Sequence, residues 1–131
     1  MSQSLEVLTY TAEIYIAGDY AAAKYICQRH CMDVGLCVTV EPVEYVSTGG
    51  CEAGVRVGLI NYPRFPTDPE AIFAKALNLA RLLRVELAQH SFSIVATDRT
   101  VFESVREARL SANAKLKRAA ESLASIPRIE S

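Results

Sequence analysis

Within five residues, Asn61-Tyr62-Pro63-Arg64-Phe65 gathers an amide, a phenol, a guanidinium and a phenyl ring, and Pro66 follows at once. A guanidinium pairs bidentately with phosphate, and aromatic rings stack on nucleobases. Each proline fixes its own φ and pushes the residue before it toward extended backbone. The donors would therefore sit on stiff chain with less freedom to lose on binding. Packing of Tyr62 and Phe65 beneath a helix accounts for the same residues equally well.

Other side chains could join them. Thr97-Asp98-Arg99-Thr100 places hydroxyls, a carboxylate and a guanidinium together, and Gln89-His90-Ser91 is a second polar run. Ends of elements are where polar groups converge, and both runs are expected at the same end of the sheet as Gly58–Pro66. Arg29 and Arg56 are further cations whose direction the sequence leaves open.

Complete catalytic sets are harder to find. His90 could act as a general base, but no Ser, Cys or Asp is placed beside it by sequence, and a polar helix cap is the simpler reading. Cys27-x-x-x-Cys31 with His30 between them suggests metal ligands, yet structural zinc knuckles use C-x-x-C, and this chain has none. Thiols one helical turn apart suit core packing, so no metal is expected. Ile14–Asp19 reads as a strand, a glycine turn and a helix start, but neither G-x-G-x-x-G nor a Walker loop is present. The Asp19 carboxylate would repel a phosphate there. The expectation is a chain that is not an enzyme. Its alternative is a small nucleoside- or nucleotide-processing enzyme with a site centred on Asp19 and Asp98, with Glu103 a further carboxylate.

The elements that must position these groups follow from periodicity. Residues 12 to 17 alternate as a strand, and Asp19 can cap a helix that Gly35 stops near Val34. Leu36 to Glu41 is a second strand, with Pro42 pointing to a bulge or sheet edge. Gly49-Gly50 turns the chain, and Val55, Val57 and Leu59 alternate on the way back. Thr67-x-x-Glu70 has the form of a capping box, and Ile72, Ala76, Leu79, Ala80, Leu83 and Leu87 make a helical stripe to about Gln89-His90. Ser91 to Thr97 is a strand with Phe92, Ile94 and Ala96 on one face. Thr97 or Asp98 could start a third helix, or Val101-Phe102 could remain extended. From about Val105 to Ser125 the pattern is helical, and it ends before Pro127. The order βαββαβ with a C-terminal helical tail predicts an α+β two-layer sandwich with a mixed or antiparallel sheet, of ferredoxin-like type.

Composition fits one domain spanning residues 1–131, with half its residues apolar and about a fifth charged. A formal net charge of −1 excludes a generally basic coat for DNA or RNA. From Ser104 onward the basic residues Arg106, Arg109, Lys115, Lys117, Arg118 and Arg128 outnumber Glu107, Glu121 and Glu130, which suggests a solvated helix face or an acidic partner. The start lacks the pattern of a signal peptide, and no run approaches the roughly 20 apolar residues that span a bilayer. Cys27, Cys31, Cys37 and Cys51 are therefore expected as free thiols.

Taken together, Ile14–Asp19, Cys31–Val40, Thr48-Gly49-Gly50, Gly54–Pro66 and Gln89–Val95 resemble the phage-encoded Thoeris anti-defence proteins of the first type. The resemblance covers roughly residues 13 to 100, and its weight lies in the ordered set rather than in any single motif. It implies a sponge in the cytoplasm of an infected bacterial host. Such a protein binds a cyclic ADP-ribose isomer made by TIR-domain immune proteins without cleaving it, in some cases holds cyclic oligonucleotides, and uses no cofactor. It implies self-association as a dimer or homo-hexamer, the tail beyond residue 104 serving as a possible interface. The ligand-binding residues expected on this reading are Arg29, Asn61, Tyr62, Arg64, Phe65, Gln89, Asp98 and Arg99. Arginines suit a pyrophosphate, rings suit an adenine, and amides and carboxylates suit riboses.

Overall fold

Burial alternates along β1 (Thr11–Ala17). Ala12, Ile14 and Ile16 point into the core, while Thr11, Glu13, Tyr15 and Ala17 lie on the opposite face. In the computed structural model, which describes residues 2–105, this strand is the centre of a five-stranded sheet. The remaining elements are α1 (Tyr20–Val34), β2 (Thr39–Ser47), β3 (Gly50–Ile60), α2 (Pro69–Glu86), β4 (Ser91–Ala96) and β5 (Thr100–Ser104). The spatial order is β2-β3-β1-β4-β5, and every neighbouring pair is antiparallel. The α+β two-layer sandwich expected from the sequence is the fold observed, with the first four strands in the split βαβ order and β5 added at an edge.

Both helices cover the same face. Ala23, Ile26 and Cys27 of α1, and Ile72, Phe73, Ala76, Leu79, Ala80 and Leu83 of α2, pack on Ile14, Val55, Val57, Leu59, Phe92 and Ile94. Full burial of one such side chain stabilises by about 1.5–3 kcal/mol, so this layer dominates the fold energetically.

Local chemistry sets the helix bounds. The Asp19 carboxylate accepts from the Ala22 amide at 2.9 Å, and Gly35, at φ 71°, ends α1 in the left-handed conformation. The cap of α2 falls one residue later than the sequence pattern placed it. Asp68, not Thr67, accepts from the Ala71 amide at 2.8 Å. Pro69 explains the shift, because it forces the preceding residue out of helical backbone, and Asp68 stands at φ −91°, ψ 162°. Of the two readings open for Thr97 to Phe102, the extended one is observed: Thr97–Arg99 turns the chain and β5 pairs with β4 from Thr100↔Val95 to Ser104↔Ser91. The helix expected over the rest of 105–125 lies outside the described residues.

The register divides the sheet into two ends. At one end lie the start of β1, the end of β3 and the β4–β5 turn, since Thr11 pairs with Ile60 and its carbonyl accepts from the Thr97 amide at 3.0 Å. At the other lie Ala17-Gly18-Asp19, Gly54, and the residues leading into β4.

Candidate functional site

The two ends separate residues that the sequence reading had grouped. The Asn61–Phe65 loop and Asp98-Arg99 do share the Ile60 end. Gln89-His90 precedes β4 and stands at the Gly18 end, so the expected convergence of these runs does not occur. Asp19 and Asp98 are likewise held at opposite ends of β1, and no site can centre on both.

Most side chains at the Ile60 end are engaged in holding the chain. The Asn61 amide donates to the Leu8 carbonyl at 2.9 Å, and its carbonyl oxygen accepts from the Thr67 amide at 3.0 Å. Asp98 accepts from the Tyr10 hydroxyl at 2.9 Å; burial, then Asp98, raise that phenol above its ordinary value. Arg99 stacks 3.7 Å from the centroid of the Phe73 ring and pairs with Glu70 at 3.1 Å. Arg64 lies 5.6 Å from the centroid of Phe65. Tyr62 and Phe65 line an apolar cleft of about 300 Å³ with Leu36, Leu59 and Ile72. Arg29, on α1, pairs with Glu86 of α2 at 3.6 Å and stacks on Tyr25, away from all of these.

Chemistry of a different kind gathers on the sheet face that no described helix covers. Because side chains alternate along each strand, the register puts Glu13 and Tyr15 of β1, Glu41, Val43 and Tyr45 of β2, Glu52 and Arg56 of β3, Ser93 of β4 and Phe102 of β5 on this one face. A linked set of charges crosses its middle. Arg56 forks onto Glu41 through Nε at 2.9 Å and Nη2 at 2.6 Å, and the Tyr15 hydroxyl donates to Glu13 at 3.2 Å. Glu41 first, then the Tyr15 hydroxyl and Glu13, hold the Arg56 guanidinium well above its usual value.

Toward the Gly18 end this face opens into a cleft of about 540 Å³. Its walls are the rings of Tyr15, Tyr45 and Phe102, with Glu52, Gln89, His90 and Ser93 between them. Phe102 is 57% exposed, an apolar ring that water covers unless something stacks on it. Tyr45 is fixed, since its hydroxyl donates to the Val55 carbonyl at 3.0 Å. Burial raises that phenol, so it stays protonated at neutral pH. Glu52 and His90 contribute the carboxylate and the imidazole of the lining. Among the described residues, no lysine or arginine lines this cleft.

Of the residues expected from the sequence, only the Gln89-His90-Ser91 run reaches it. Tyr15, Tyr45, Glu52, Ser93 and Phe102 were missed, although a signal existed. Glu13 and Tyr15 alternate with buried Ile14 and Ile16, the mark of a strand whose second face carries polar and aromatic groups. What the sequence withholds is the register that lines up such positions across five strands.

The architecture is shared with solved structures. One is described as phage SAM lyase in the apo state, at a TM-score of 0.59 and 16% identity over 73% of this chain and 89% of that one. The other is phage SAM lyase in complex with S-methyl-5′-thioadenosine, at a TM-score of 0.59 and 13% identity over 80% of this chain and 96% of that one. No family model matches the sequence, and no curated protein does either. At these identities the likeness establishes the fold. It also corrects the expectation of a chain that is not an enzyme, because this architecture carries a lyase in the structures that share it. That expectation rests on missing local motifs, and a sheet face assembles its groups from separate strands. No helix among the described residues is long and apolar enough to cross a membrane.

Proposed function

We propose that this chain is a small nucleoside-processing enzyme whose site is the cleft at the Gly18 end of the sheet face that no described helix covers. Its substrate on this reading is an adenosine bearing sulfur at the 5′ position. The carrying observation is the lining of that cleft, which combines the rings of Tyr15, Tyr45 and Phe102, several hydroxyls, the Gln89 amide and a carboxylate, with no lysine or arginine among the described residues. Tyr15 and Phe102 can stack on a purine, a contact worth roughly 1–3 kcal/mol per base. Ser93 and Gln89 can hydrogen-bond a ribose. Glu52 favours a neutral or cationic group over a phosphate, as expected for a sulfonium and opposite to what a pyrophosphate requires. The shared fold supports the same choice, since one of its examples holds S-methyl-5′-thioadenosine.

In this scheme Tyr45 shapes the wall, and Glu52 and His90 are the groups that stabilise charge or transfer a proton. The Glu13–Tyr15–Arg56–Glu41 set keeps the Tyr15 ring in place. A cyclic ADP-ribose sponge would instead need its arginines in the pocket, and Arg29, Arg56 and Arg99 are paired with Glu86, Glu41 and Glu70.

The test is incubation of the full chain with S-adenosylmethionine and, separately, with a cyclic ADP-ribose isomer, followed by chromatography and mass spectrometry. Turnover of the sulfonium nucleoside to S-methyl-5′-thioadenosine, lost in Glu52→Gln, is the expected result. Tight capture of the cyclic nucleotide and its intact return on heating, with no turnover of the nucleoside, would sink the enzyme reading.

A further inference from the structure

The four cysteines are free, and the fold treats them differently. Cys27 is buried beneath α1, where desolvation pushes its thiol up to about 12. Cys51 pairs with Val46 in the β2–β3 hairpin at the Gly18 end. Cys31 and Cys37, by contrast, flank a single turn. The Gly35 and Leu36 amides both donate to the Cys31 carbonyl, at 2.9 and 3.2 Å, so the chain doubles back on the last turn of α1 just before Cys37. Gly35 takes the left-handed conformation that this reversal needs.

Both side chains line the same apolar cleft, together with Tyr62 and Phe65. Cys37 is exposed, and its sulfur donates to the Tyr62 hydroxyl at 3.5 Å. Cys31 is half-buried. Burial and then the nearby charge of Cys37 raise its thiol, while the Val38 backbone favours its thiolate. The backbone group that touches the Cys31 thiol, that of Val38, follows directly after Cys37. Tyr62 belongs to the same cluster. Its hydrogen bond with Cys37, more than its burial, pushes the phenol up to about 12, as expected of a hydroxyl that donates to the sulfur once the thiol ionises.

We propose that Cys31 and Cys37 form an oxidisable dithiol at the rim of this cleft, which reacts with a low-molecular-weight disulfide to close a Cys31–Cys37 bridge. The Cys37 thiolate attacks one sulfur of the small disulfide, forms a mixed disulfide and releases one small thiolate. The Cys31 thiolate then attacks the Cys37 sulfur and expels the second. Two protein thiols lose their protons and two electrons, and one small disulfide becomes two small thiols. Exposure makes Cys37 the attacking partner, and half-burial makes Cys31 the resolving one. So short a loop gains less stability from closure than a long one does. Oxidation removes the hydrogen bond to Tyr62 and ties the Leu36-Cys37 segment to α1, which alters the cleft that Tyr62 and Phe65 line. Nothing in this inference depends on the nucleoside reading.

The full chain would be treated with oxidised glutathione, alkylated, and cleaved at Arg29, Asp33 and Glu41 without reduction, so that Cys31, Cys37, Cys27 and Cys51 fall on separate peptides. The expected product is the Cys31–Cys37 pair, reversed by dithiothreitol, with Cys27 and Cys51 alkylated. In Cys31→Ser, glutathione should instead accumulate on Cys37, because the resolving thiol is gone. Retention of glutathione on Cys37 in the wild type, or bridging through Cys51, would overturn the proposal.

Discussion

Tyr45 occupies the space that a side chain on Gly54 would need. Its ring lies over the glycine, its hydroxyl donates to the neighbouring Val55 carbonyl at 3.0 Å, and a Cβ on residue 54 would stand 2.6 Å from the Ile16 carbonyl oxygen. A ring can swing aside, but a backbone oxygen inside the β1–β3 pairing cannot. Gly54→Ala should therefore destabilise the fold by about 1–3 kcal/mol, the usual range for overpacking. Tyr45→Phe, which removes only the hydroxyl, should cost about 1 kcal/mol. Urea denaturation of both variants checks this, and an unchanged midpoint in Gly54→Ala would show that the close fit does not constrain the sheet.

The proposed site makes a separate prediction about ligand. If Phe102 stacks on a purine, Phe102→Ala should weaken binding of S-methyl-5′-thioadenosine about tenfold to a hundredfold, the span of one base–ring contact. Because the ring is 57% exposed, the same change should leave thermal stability nearly untouched. Calorimetric titration beside a melting curve separates these effects. Equal affinity in wild type and variant would remove Phe102 from the site.

Why the fold was legible and the cleft was not follows from how each is encoded. Asp19, Gly35 and the alternation Ile14/Ile16 act within one element, so their consequences can be read locally. The cap of α2 was misplaced by one residue because the restriction from Pro69 outweighed the Thr67–Glu70 pattern. β5 was left open because Val101 and Phe102 suit either a strand or a helix start, and only pairing with Ile94 and Ser93 decides between them. The cleft depends wholly on such pairing. Tyr15 meets Ser93 on one side and Arg56 on the other, while Tyr45 meets Glu52, and none of these partners is near in sequence to all the rest. The Asn61–Phe65 cluster stays open between two readings in the sequence, because proline-braced polar residues look the same whether they bind a ligand or close a loop.

Acid stability should report on Glu103. Arg81 forks onto it at 2.8 and 2.9 Å and, by that hydrogen bonding more than any other cause, holds the carboxyl below its ordinary value. A depressed folded pKa means that the carboxylate stabilises the fold above its unfolded value and that this contribution disappears as pH falls through the folded value. Glu103→Gln should accordingly melt below the wild type at pH 7, and the gap should narrow as pH falls below the ordinary glutamate value of about 4.3. Melting curves across that range decide the matter; a gap independent of pH would assign the loss to packing instead of charge.

Asn61 and Arg64 stand three residues apart and should behave in opposite ways. The Asn61 side chain bridges Leu8 and Thr67, with bonds of 2.9 and 3.0 Å, so it ties the N-terminal segment to the approach of α2. Asn61→Ala leaves a backbone donor and a backbone acceptor without these partners and should cost about 1–2 kcal/mol, with earlier proteolysis of the N-terminal segment. Arg64 is exposed and touches the ring of its neighbour Phe65, so Arg64→Ala should change stability by less than about 0.5 kcal/mol. Both lie at the Ile60 end, away from the cleft, and neither should alter affinity for S-methyl-5′-thioadenosine in a calorimetric titration. A large loss of affinity in Arg64→Ala would move the binding site to the proline-braced loop, and the cleft of Tyr15, Tyr45 and Phe102 would lose its claim to the nucleoside.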